Sequence, residues 1–173
     1  MSIKIRRLEP SDAEQLTEIY RFNSVSENTS QLPYMSSDTV NSLFYESNNY
    51  TLVAIDSDRV LGHVTLFISH KQRERHLASV AIAVHPASHG RGIGKMLLQE
   101  ALDQADNWLN LIRVELEVHT DNTSAIALYE KVGFVKEGER RFATFKSGKL
   151  ANVLMMARLS PQFTAGSQQS TAP

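Results

Sequence analysis

The 173-residue sequence contains no cysteine. Without a thiol, the chain cannot form a disulfide bond, a thiolate zinc site or a cysteine acyl-enzyme. No apolar run approaches the roughly 18 residues that a membrane-spanning helix needs. The first residues, MSIKIRRLEPSDAEQ, have no apolar signal core. We therefore expect a soluble, cytoplasmic protein with no membrane partner.

The sequence also has no excess of charge of either sign. Its 18 basic and 19 acidic side chains give a formal net charge of −1, so nucleic acid is not expected as a partner. The six histidines lack a metal-binding pattern, because no H-E-x-x-H occurs and their spacings are irregular. We predict no metal ion.

Hydrophobic periodicity predicts one α/β domain over residues 1–159. The predicted element order is β α α β β β α β α β β, which describes a mixed α+β sheet with helices on its faces. Residues 160–173 are poor in apolar side chains, so we expect a flexible C-terminal tail there.

Three local expectations accompany this element order. Ser11 and Glu14 form a capping-box pattern that would open the first helix. The segment from Phe22 to Tyr34 is polar, and we predict that it is irregular. A short strand is predicted from Phe134 to Glu137 as the partner of the last strand.

The most informative stretch is Ser79 to Leu98, SVAIAVHPASHGRGIGKMLL. An apolar strand leads to His85-Pro86, then to a glycine-rich turn and an amphipathic helix. Glycines allow backbone N–H groups to approach a ligand without an intervening Cβ, and a helix N-terminus attracts phosphate. Arg91 and Lys95 add positive charge. The pattern predicts an anion site, although a plain loop-to-helix turn also uses glycines for geometry.

Two common phosphate-binding turns do not fit this stretch. A P-loop would need glycine at His89 and Ser or Thr at Met96. A dinucleotide fingerprint needs G-x-G-x-x-G, whereas the spacing from Gly90 is G-x-G-x-G, and no acidic residue stands at Asn110. Both alternatives are therefore excluded.

A second motif lies in the stretch VHTDNTSAIALYEKVGF, which ends at Phe134. Its Asn122, Ala125, Leu128-Tyr129 and Gly133-Phe134 match N-x-x-A-x-x-L-Y-x-x-x-G-F. The turn HGRGIG resembles [QR]-x-x-G-x-[GA], with His89 at the first position. Together, in this order, the two motifs resemble those of the GNAT superfamily of acyl-CoA-dependent N-acetyltransferases.

This resemblance implies a fold, a co-substrate and a reaction. The strands Ser79–Val84 and Leu111–His119 would splay apart, and acetyl-CoA would bind at the splay. Backbone N–H groups near Val84 would stabilise the thioester oxygen, and the acetyl group would pass directly to a primary amine. The residues implied for the acetyl-CoA site are Ile82, Ala83, Val84, His89, Gly90, Arg91, Gly92, Ile93, Gly94, Lys95, Asn122 and Tyr129.

Two of these residues have particular roles by the same resemblance. Asn122 would hydrogen-bond the pantetheine or phosphate arm of acetyl-CoA. Tyr129 would protonate the leaving thiolate, and the alternative for Tyr129 is a buried helix tyrosine whose hydroxyl is satisfied. The basic residues that could bind the 3′-phosphate of CoA are Arg73, Arg75, Arg91, Lys95 and Lys131.

The general base is not identified by the motifs. Many relatives carry an acidic residue early in the central strand, where this chain has Ser79. The candidates are Glu117, His119, His76 and His63, acting directly or through water, and an acceptor that arrives neutral needs no base.

The acceptor is expected to bind between the first helices, the Asn23–Tyr34 segment and the final hairpin. Gln31 is a candidate for contact with a carboxylate, and Glu117 is a second candidate contact. The resemblance is to the L-amino-acid N-acetyltransferase branch, although Asn152 stands where relatives tend to have Asp. The acidic residues are scattered in sequence, which favours a small amine such as an amino acid over a polyamine or protein amine.

A different class of function is also compatible with these motifs. A non-catalytic sensor or interaction module could bind acyl-CoA and have lost turnover, and the absence of an acid at Ser79 favours it. Tyr129 argues against it, because a pure binder needs no acid for a thiolate. The edge of the last two strands could support a homodimer.

Overall fold

Seven strands form one sheet in the computed structural model, which describes residues 2–169. The strands are β1 (Lys4–Arg7), β2 (Asn49–Asp56), β3 (Arg59–Ile68), β4 (Leu77–Val84), β5 (Arg113–His119), β6 (Val135–Lys146) and β7 (Lys149–Leu159). The helices are α1 (Ala13–Tyr20), α2 (Asn23–Asn28), α3 (Ser37–Phe44), α4 (Ile93–Asn107), α5 (Thr123–Lys131) and α6 (Pro161–Gln169). The spatial strand order is β1-β2-β3-β4-β5-β7-β6, and the predicted mixed α/β class is confirmed.

The sheet opens between its two central strands. Every neighbouring pair is antiparallel except β4 and β5, which are parallel and pair only from Leu77↔Arg113 to Ser79↔Glu115. Beyond that point β4 continues beside β3 to Val84, and β5 continues beside β7 to His119. Each strand therefore turns an edge towards the gap beyond this pairing, as the resemblance implies, and backbone groups on such an edge can bind a ligand.

Two apolar cores lie on opposite faces of the sheet. Side chains alternate between faces along a strand, so Leu52 and Ala54 of β2 join one core while Val53 joins the other. The first core packs beneath α4, with Leu97 and Leu98 fully buried. The second core packs beneath α1, α2 and α3. The helices thus hold the sheet from both sides and leave the gap between β4 and β5 at its centre.

The start of the first helix differs from the sequence prediction. A single 3₁₀ turn, Pro10–Asp12, precedes α1, and Asp12 rather than Ser11 is the capping side chain. The carboxylate of Asp12 accepts the N–H of Glu9 at 2.8 Å and the guanidinium of Arg6 at 2.7 and 2.9 Å. The predicted Ser11–Glu14 box is wrong because the buried Asp12 has two stronger donors within reach.

Part of the segment predicted to be irregular is helical. α2 lies within Phe22–Tyr34, and its Val25 is buried against the second core. One apolar residue in a polar segment gives no helical periodicity. Packing of Val25 beside α1 supplies the stabilisation that local sequence does not show.

The final hairpin and the C-terminal region also differ from expectation. β6 is a 12-residue strand rather than a short strand ending at Glu137. Its register shifts twice and most of its side chains are exposed, so the alternation typical of a half-buried strand is missing. α6 begins the region predicted to be a flexible tail, and residues 170–173 of that prediction lie outside the described residues. Within residues 2–169, no helix is long and apolar enough to cross a membrane.

Candidate active site

Two cavities meet at the gap between β4 and β5. The turn cavity, of about 440 Å³, is lined by the glycine-rich turn, the N-terminus of α4 and residues of α5. The strand cavity, of about 430 Å³, is lined by β4, β5, the final hairpin and residues 28–31. Ile82 and Tyr129 line both cavities. A ligand in one cavity therefore meets a ligand in the other beside these two side chains.

The turn cavity is built mainly from backbone. Gly90 and Gly92 have φ angles of +74° and +76°, which side chains rarely adopt, and open space lies where their Cβ atoms would be. Gly92 caps α4, whose first internal hydrogen bond runs from the Met96 N–H to the Gly92 carbonyl. The N–H groups of the first turn have no partner within the helix, so they can bind an anion.

His89 and Arg91 have roles that the motif alone does not reveal. The Nε2–H of His89 donates to the Val84 carbonyl at 3.0 Å, which ties the turn to the end of β4. The guanidinium of Arg91 lies 3.5 Å from the carboxylate of Asp56, and Arg91 lines neither cavity. The structure therefore places the Arg91 side chain beside Asp56 at the surface rather than in the turn cavity.

The other residues expected at the acetyl-CoA site are brought together. All of them except Arg91 line the turn cavity: Ile82, Ala83, Val84, His89, Gly90, Gly92, Ile93, Gly94, Lys95, Asn122 and Tyr129. Of the five basic residues considered for a 3′-phosphate, only Lys95 lines this cavity, and Arg73, Arg75 and Lys131 line neither cavity.

Two residues of the second motif, Asn122 and Tyr129, lie at the start of α5 and within it. Asn122 caps the helix, with its Oδ1 accepting the Ala125 N–H at 3.3 Å. Tyr129 is 8% exposed and packs against the ring of Phe134, with 5.8 Å between centroids. Burial raises the pKa of Tyr129 to about 12. Its hydroxyl has no hydrogen-bond partner within the part of the chain that the structure describes, so the protonated phenol faces the cavities as a free donor.

Acidic side chains that are distant in sequence converge on the strand cavity. Glu115 and Glu117 project from the same side of β5, because side chains alternate along a strand, and Glu137 of β6 lies near them. Arg113 donates to Glu115 at 3.0 Å and to Glu137 at 2.6 and 2.8 Å, and this guanidinium lowers the pKa of Glu137. These three carboxylates pair with two arginines, Arg113 and Arg140, so acidic groups outnumber basic ones by one in this cluster. Because Glu137 is distant in sequence from Glu115 and Glu117, the sequence alone does not reveal this cluster.

Four side chains were candidates for the general base, and the structure separates them. Glu117 and His119 line the strand cavity. Glu117 accepts a hydrogen bond from Arg140 at 2.5 Å, and His119 Nε2 lies 2.9 Å from the Thr144 hydroxyl. Burial, together with the charge of Lys146, lowers the pKa of His119.

The other two base candidates lie away from both cavities. His76 is exposed and lines neither cavity. His63 is completely buried beneath the second core and lines neither cavity, and burial lowers its pKa to about 3. Neither side chain is therefore placed to contact a ligand in these cavities directly. Within the described residues, no three His, Asp or Glu side chains cluster as a metal site.

Several cavity residues were not identified from the sequence. Tyr20 and Glu115, which the sequence did not single out, line the strand cavity, whereas Asn28 and Thr29, which line both cavities, belong to the segment expected to contact the acceptor. The alternation with Glu117 was the one sequence signal for Glu115. Tyr20 gave no signal, because tertiary packing of α1 brings it to β4.

This arrangement defines a class of protein. The positive N-terminus of a helix lies beside an open strand pair, a buried neutral phenol stands at the junction, and a second cavity with acidic residues opens on the other side. Such an arrangement suits a transferase, because a phosphate-bearing donor in one cavity would meet a second substrate in the other.

The sequence over residues 13–134 matches the acetyltransferase (GNAT) family. This match covers most of the chain, which therefore belongs to that family. The protein is an N-acetyltransferase that uses acetyl-CoA.

Relatives and solved structures agree with this assignment along the whole domain. The L-amino acid N-acetyltransferase AaaT of Escherichia coli strain K12 is 32% identical over 158 residues, covering 91% of this chain and 98% of the relative. An acetyltransferase of the GNAT family from Streptococcus pneumoniae matches with a TM-score of 0.80 and 29% identity, covering 92% and 99%. Spermidine N-acetyltransferase from Vibrio cholerae, in complex with CoA and spermine, matches with a TM-score of 0.82 and 27% identity, covering 94% and 98%.

Proposed function

We propose that this acetyltransferase moves the acetyl group of acetyl-CoA directly to the primary amine of a small molecule bound in the strand cavity. One observation carries the proposal: Ile82 and Tyr129 line both cavities. An amine in the strand cavity can therefore meet an acetyl thioester that enters from the turn cavity. The chain has no cysteine for an acyl-enzyme, which supports direct transfer.

The turn cavity fits acetyl-CoA. The open space above Gly90 and Gly92 admits pyrophosphate against the N-terminus of α4, and Asn122 stands at the mouth of α5. Acetyl-CoA supplies the thioester carbonyl on which the amine acts. Backbone N–H groups on the open edge of β4, towards Val84, would donate to its oxygen as negative charge develops there.

Tyr129 is assigned as the general acid. Burial holds its pKa at about 12, so the phenol keeps its proton near neutral pH. The hydroxyl has no competing partner among the described residues, and the side chain lies where the two cavities join. It would donate that proton to the departing thiolate of CoA.

The proton that an ammonium must lose has two candidate destinations in the strand cavity, Glu117 and His119. Each can take it directly or through water. The pH–rate profiles of Glu117→Gln and His119→Gln distinguish the two, because loss of the base removes the acidic limb of the profile. An unchanged acidic limb in both variants would show that the amine arrives neutral.

An amino acid is the first acceptor to test. The relative AaaT, 32% identical, is an L-amino acid N-acetyltransferase, and Gln31 lines the strand cavity as a possible carboxylate contact. A polyamine is the second candidate, and the carboxylates of Glu115, Glu117 and Glu137 favour it because they attract a second positive charge.

The deciding experiment is release of free thiol from acetyl-CoA with L-amino acids, polyamines, aminoglycosides and a lysine-rich peptide, using wild type and Tyr129→Phe. Turnover with amino acids supports the first candidate, and turnover with polyamines alone supports the second. Turnover with the peptide alone would reject a small acceptor. Tight binding of acetyl-CoA without any turnover would favour a non-catalytic sensor, and no binding would contradict the whole assignment.

A further inference from the structure

A chain of buried polar side chains runs from the strand cavity into the sheet. It begins at Tyr20, which lines the cavity and whose hydroxyl lies 2.7 Å from His63 Nε2. His63 Nδ1 lies 3.1 Å from the Thr65 hydroxyl, which lies 3.0 Å from the Thr51 hydroxyl. Thr51 reaches the Phe44 carbonyl at 3.4 Å. All four side chains belong to residues that are at most 2% exposed, so no bulk water interrupts the chain.

The Phe44 carbonyl, at the end farthest from the cavity, determines the direction of the hydrogen bonds along this series of side chains. The Phe44 carbonyl can only accept, so Thr51 must donate its one hydroxyl proton to it. The contact between Thr51 and Thr65 then needs the proton of Thr65. Because the Thr65 proton is used, His63 must donate from Nδ1 to the Thr65 oxygen.

The charge state of His63 determines the direction of its hydrogen bond with Tyr20 at the cavity. His63 is completely buried, and burial lowers its pKa to about 3, so the ring is neutral near neutral pH. A neutral imidazole carries one N–H. With that N–H on Nδ1, Nε2 is a bare acceptor, and the Tyr20 hydroxyl must donate inward to it. The Tyr20 oxygen then has lone pairs and no proton left for the cavity.

We propose that Tyr20 is an acceptor-binding residue whose phenol oxygen accepts a hydrogen bond from the N–H of the substrate amine, and that His63 positions it for this role. The inference rests on the proposed function and names a contact of that same site. Tyr20 and Tyr129 both line the strand cavity, and the pKa of Tyr20 is raised mainly by burial and in smaller part by the charge of an ionised Tyr129. The two phenols thus stand within electrostatic range of each other.

The two phenols have opposite hydrogen-bonding capacity. Tyr129 has a free proton and donates, whereas Tyr20 has committed its proton to His63 and accepts. An amine between them could give an N–H to Tyr20 while its lone pair points to the thioester. A carboxylate has no proton to give and is disfavoured beside Tyr20. The amine end of the acceptor therefore lies towards Tyr20 and Tyr129, and any carboxylate lies elsewhere.

The first test reads the tautomer of His63 directly and requires no turnover. In ¹⁵N-labelled full-length protein, two-bond ¹H–¹⁵N correlations distinguish Nδ1–H from Nε2–H, and the His63→Gln spectrum assigns the His63 signals. We expect the Nδ1–H tautomer at neutral pH. An Nε2–H tautomer or a charged ring would overturn the inference, because the Tyr20 proton would then be free to face the cavity.

The second test reverses the direction of these hydrogen bonds by a substitution at a residue that lines neither cavity. Thr65→Val removes the oxygen that accepts from His63 Nδ1, and Thr65→Ser retains it. A buried N–H without a partner is rarer than an unpaired acceptor, so His63 in the valine variant should switch to Nε2–H. Tyr20 would then present its proton to the cavity. We expect the Val variant to weaken amine binding about tenfold relative to the Ser variant.

Amine affinity is measured in the complex with CoA, alongside the KM for the amine, and the acetyl-CoA affinity serves as the control. Thermal unfolding shows whether both variants remain folded. Equal amine affinity in Thr65→Val and Thr65→Ser, or an undiminished affinity in Tyr20→Phe, would overturn the inference. Amine binding that depends on Tyr20 in a protein without turnover would instead contradict the proposed catalysis alone.

Discussion

The two cavities that meet at Tyr129 are built in different ways. The turn cavity is contained largely in one continuous stretch, from Ile82 to Lys95, and its binding groups are backbone N–H groups at the start of α4. The strand cavity takes its walls from α1, the loop after α2, β4, β5 and the final hairpin, and its binding groups are side chains. A backbone site depends on local conformation, whereas a side-chain site depends on which elements pack together.

This difference corresponds to the difference between the site proposed for the co-substrate and the site proposed for the acceptor. A co-substrate that the relatives share makes the same demand on each of them, and a local backbone motif can meet such a demand. The acceptor differs among the relatives, which include enzymes named for an L-amino acid and for spermidine. The strand cavity, with its carboxylates and its phenol, is where such a difference can arise.

The largest expected effect comes from blocking the backbone cradle. Gly92→Val places a β-branched side chain at φ +76°, in the open space that faces the ligand, and should weaken acetyl-CoA binding by about 100-fold or more. Gly148→Val is the matched control, because Gly148 has the same φ, nothing lies near its Cβ position, and it lines neither cavity. Calorimetric titration with acetyl-CoA compares the two. Equal losses would mean that backbone strain, rather than the cradle, is responsible.

Loss of the phenol at the junction should reduce the rate and spare binding. Tyr129→Phe removes the proton donor to the thiolate, so kcat should fall by about 100-fold while the affinity for acetyl-CoA changes little. Tyr45→Phe is the control, since its hydroxyl bonds the Glu9 carbonyl and lines neither cavity. Steady-state kinetics with the preferred acceptor provide the measurement. An unchanged kcat in Tyr129→Phe would remove Tyr129 from the mechanism.

The acidic wall of the strand cavity should matter for the acceptor and not for acetyl-CoA. Glu117→Gln should raise the KM of an acceptor with two positive charges by about tenfold at low salt, with a smaller effect at high salt. The control is Glu46→Gln, an exposed position outside both cavities. A KM that rises equally for neutral and dicationic acceptors would show that Glu117 acts without attracting charge.

The smallest expected effect is on stability at acidic pH. Arg113 lowers the pKa of Glu137 below the ordinary value of 4.5. A group with a lowered folded pKa stabilises the protein above its unfolded pKa, and the contribution disappears as the pH falls through the folded value. The melting temperature should therefore drop below about pH 4.5, and Glu137→Gln should reduce that drop slightly. Scanning calorimetry across this range is the check, and identical pH profiles would contradict the role of this ion pair.

Much of the fold could be predicted because its signals are local. The mixed sheet and the helix after the glycine turn follow from alternation, helical spacing and turn residues close together in sequence, and the splay of β4 from β5 was implied by the resemblance to the GNAT family. β6 and α2 could not be predicted in the same way. Most side chains of β6 are exposed, and α2 has a single well-buried apolar side chain, Val25. Neither segment therefore shows a strong hydrophobic periodicity in its sequence.

By itself, the sequence determined the conformation of the glycine-rich turn and the start of α4, because both depend on residues that are neighbours in the chain. It also determined that Tyr129 lies on α5, seven positions after the helix cap Asn122. Only the tertiary structure decided that Arg91 is held by Asp56, that His63 is buried, and that Glu115, Glu117 and Glu137 share one wall with Tyr20. The physical reason is range: a dihedral preference acts between neighbours in the chain, whereas burial and charge depend on which distant segments pack together.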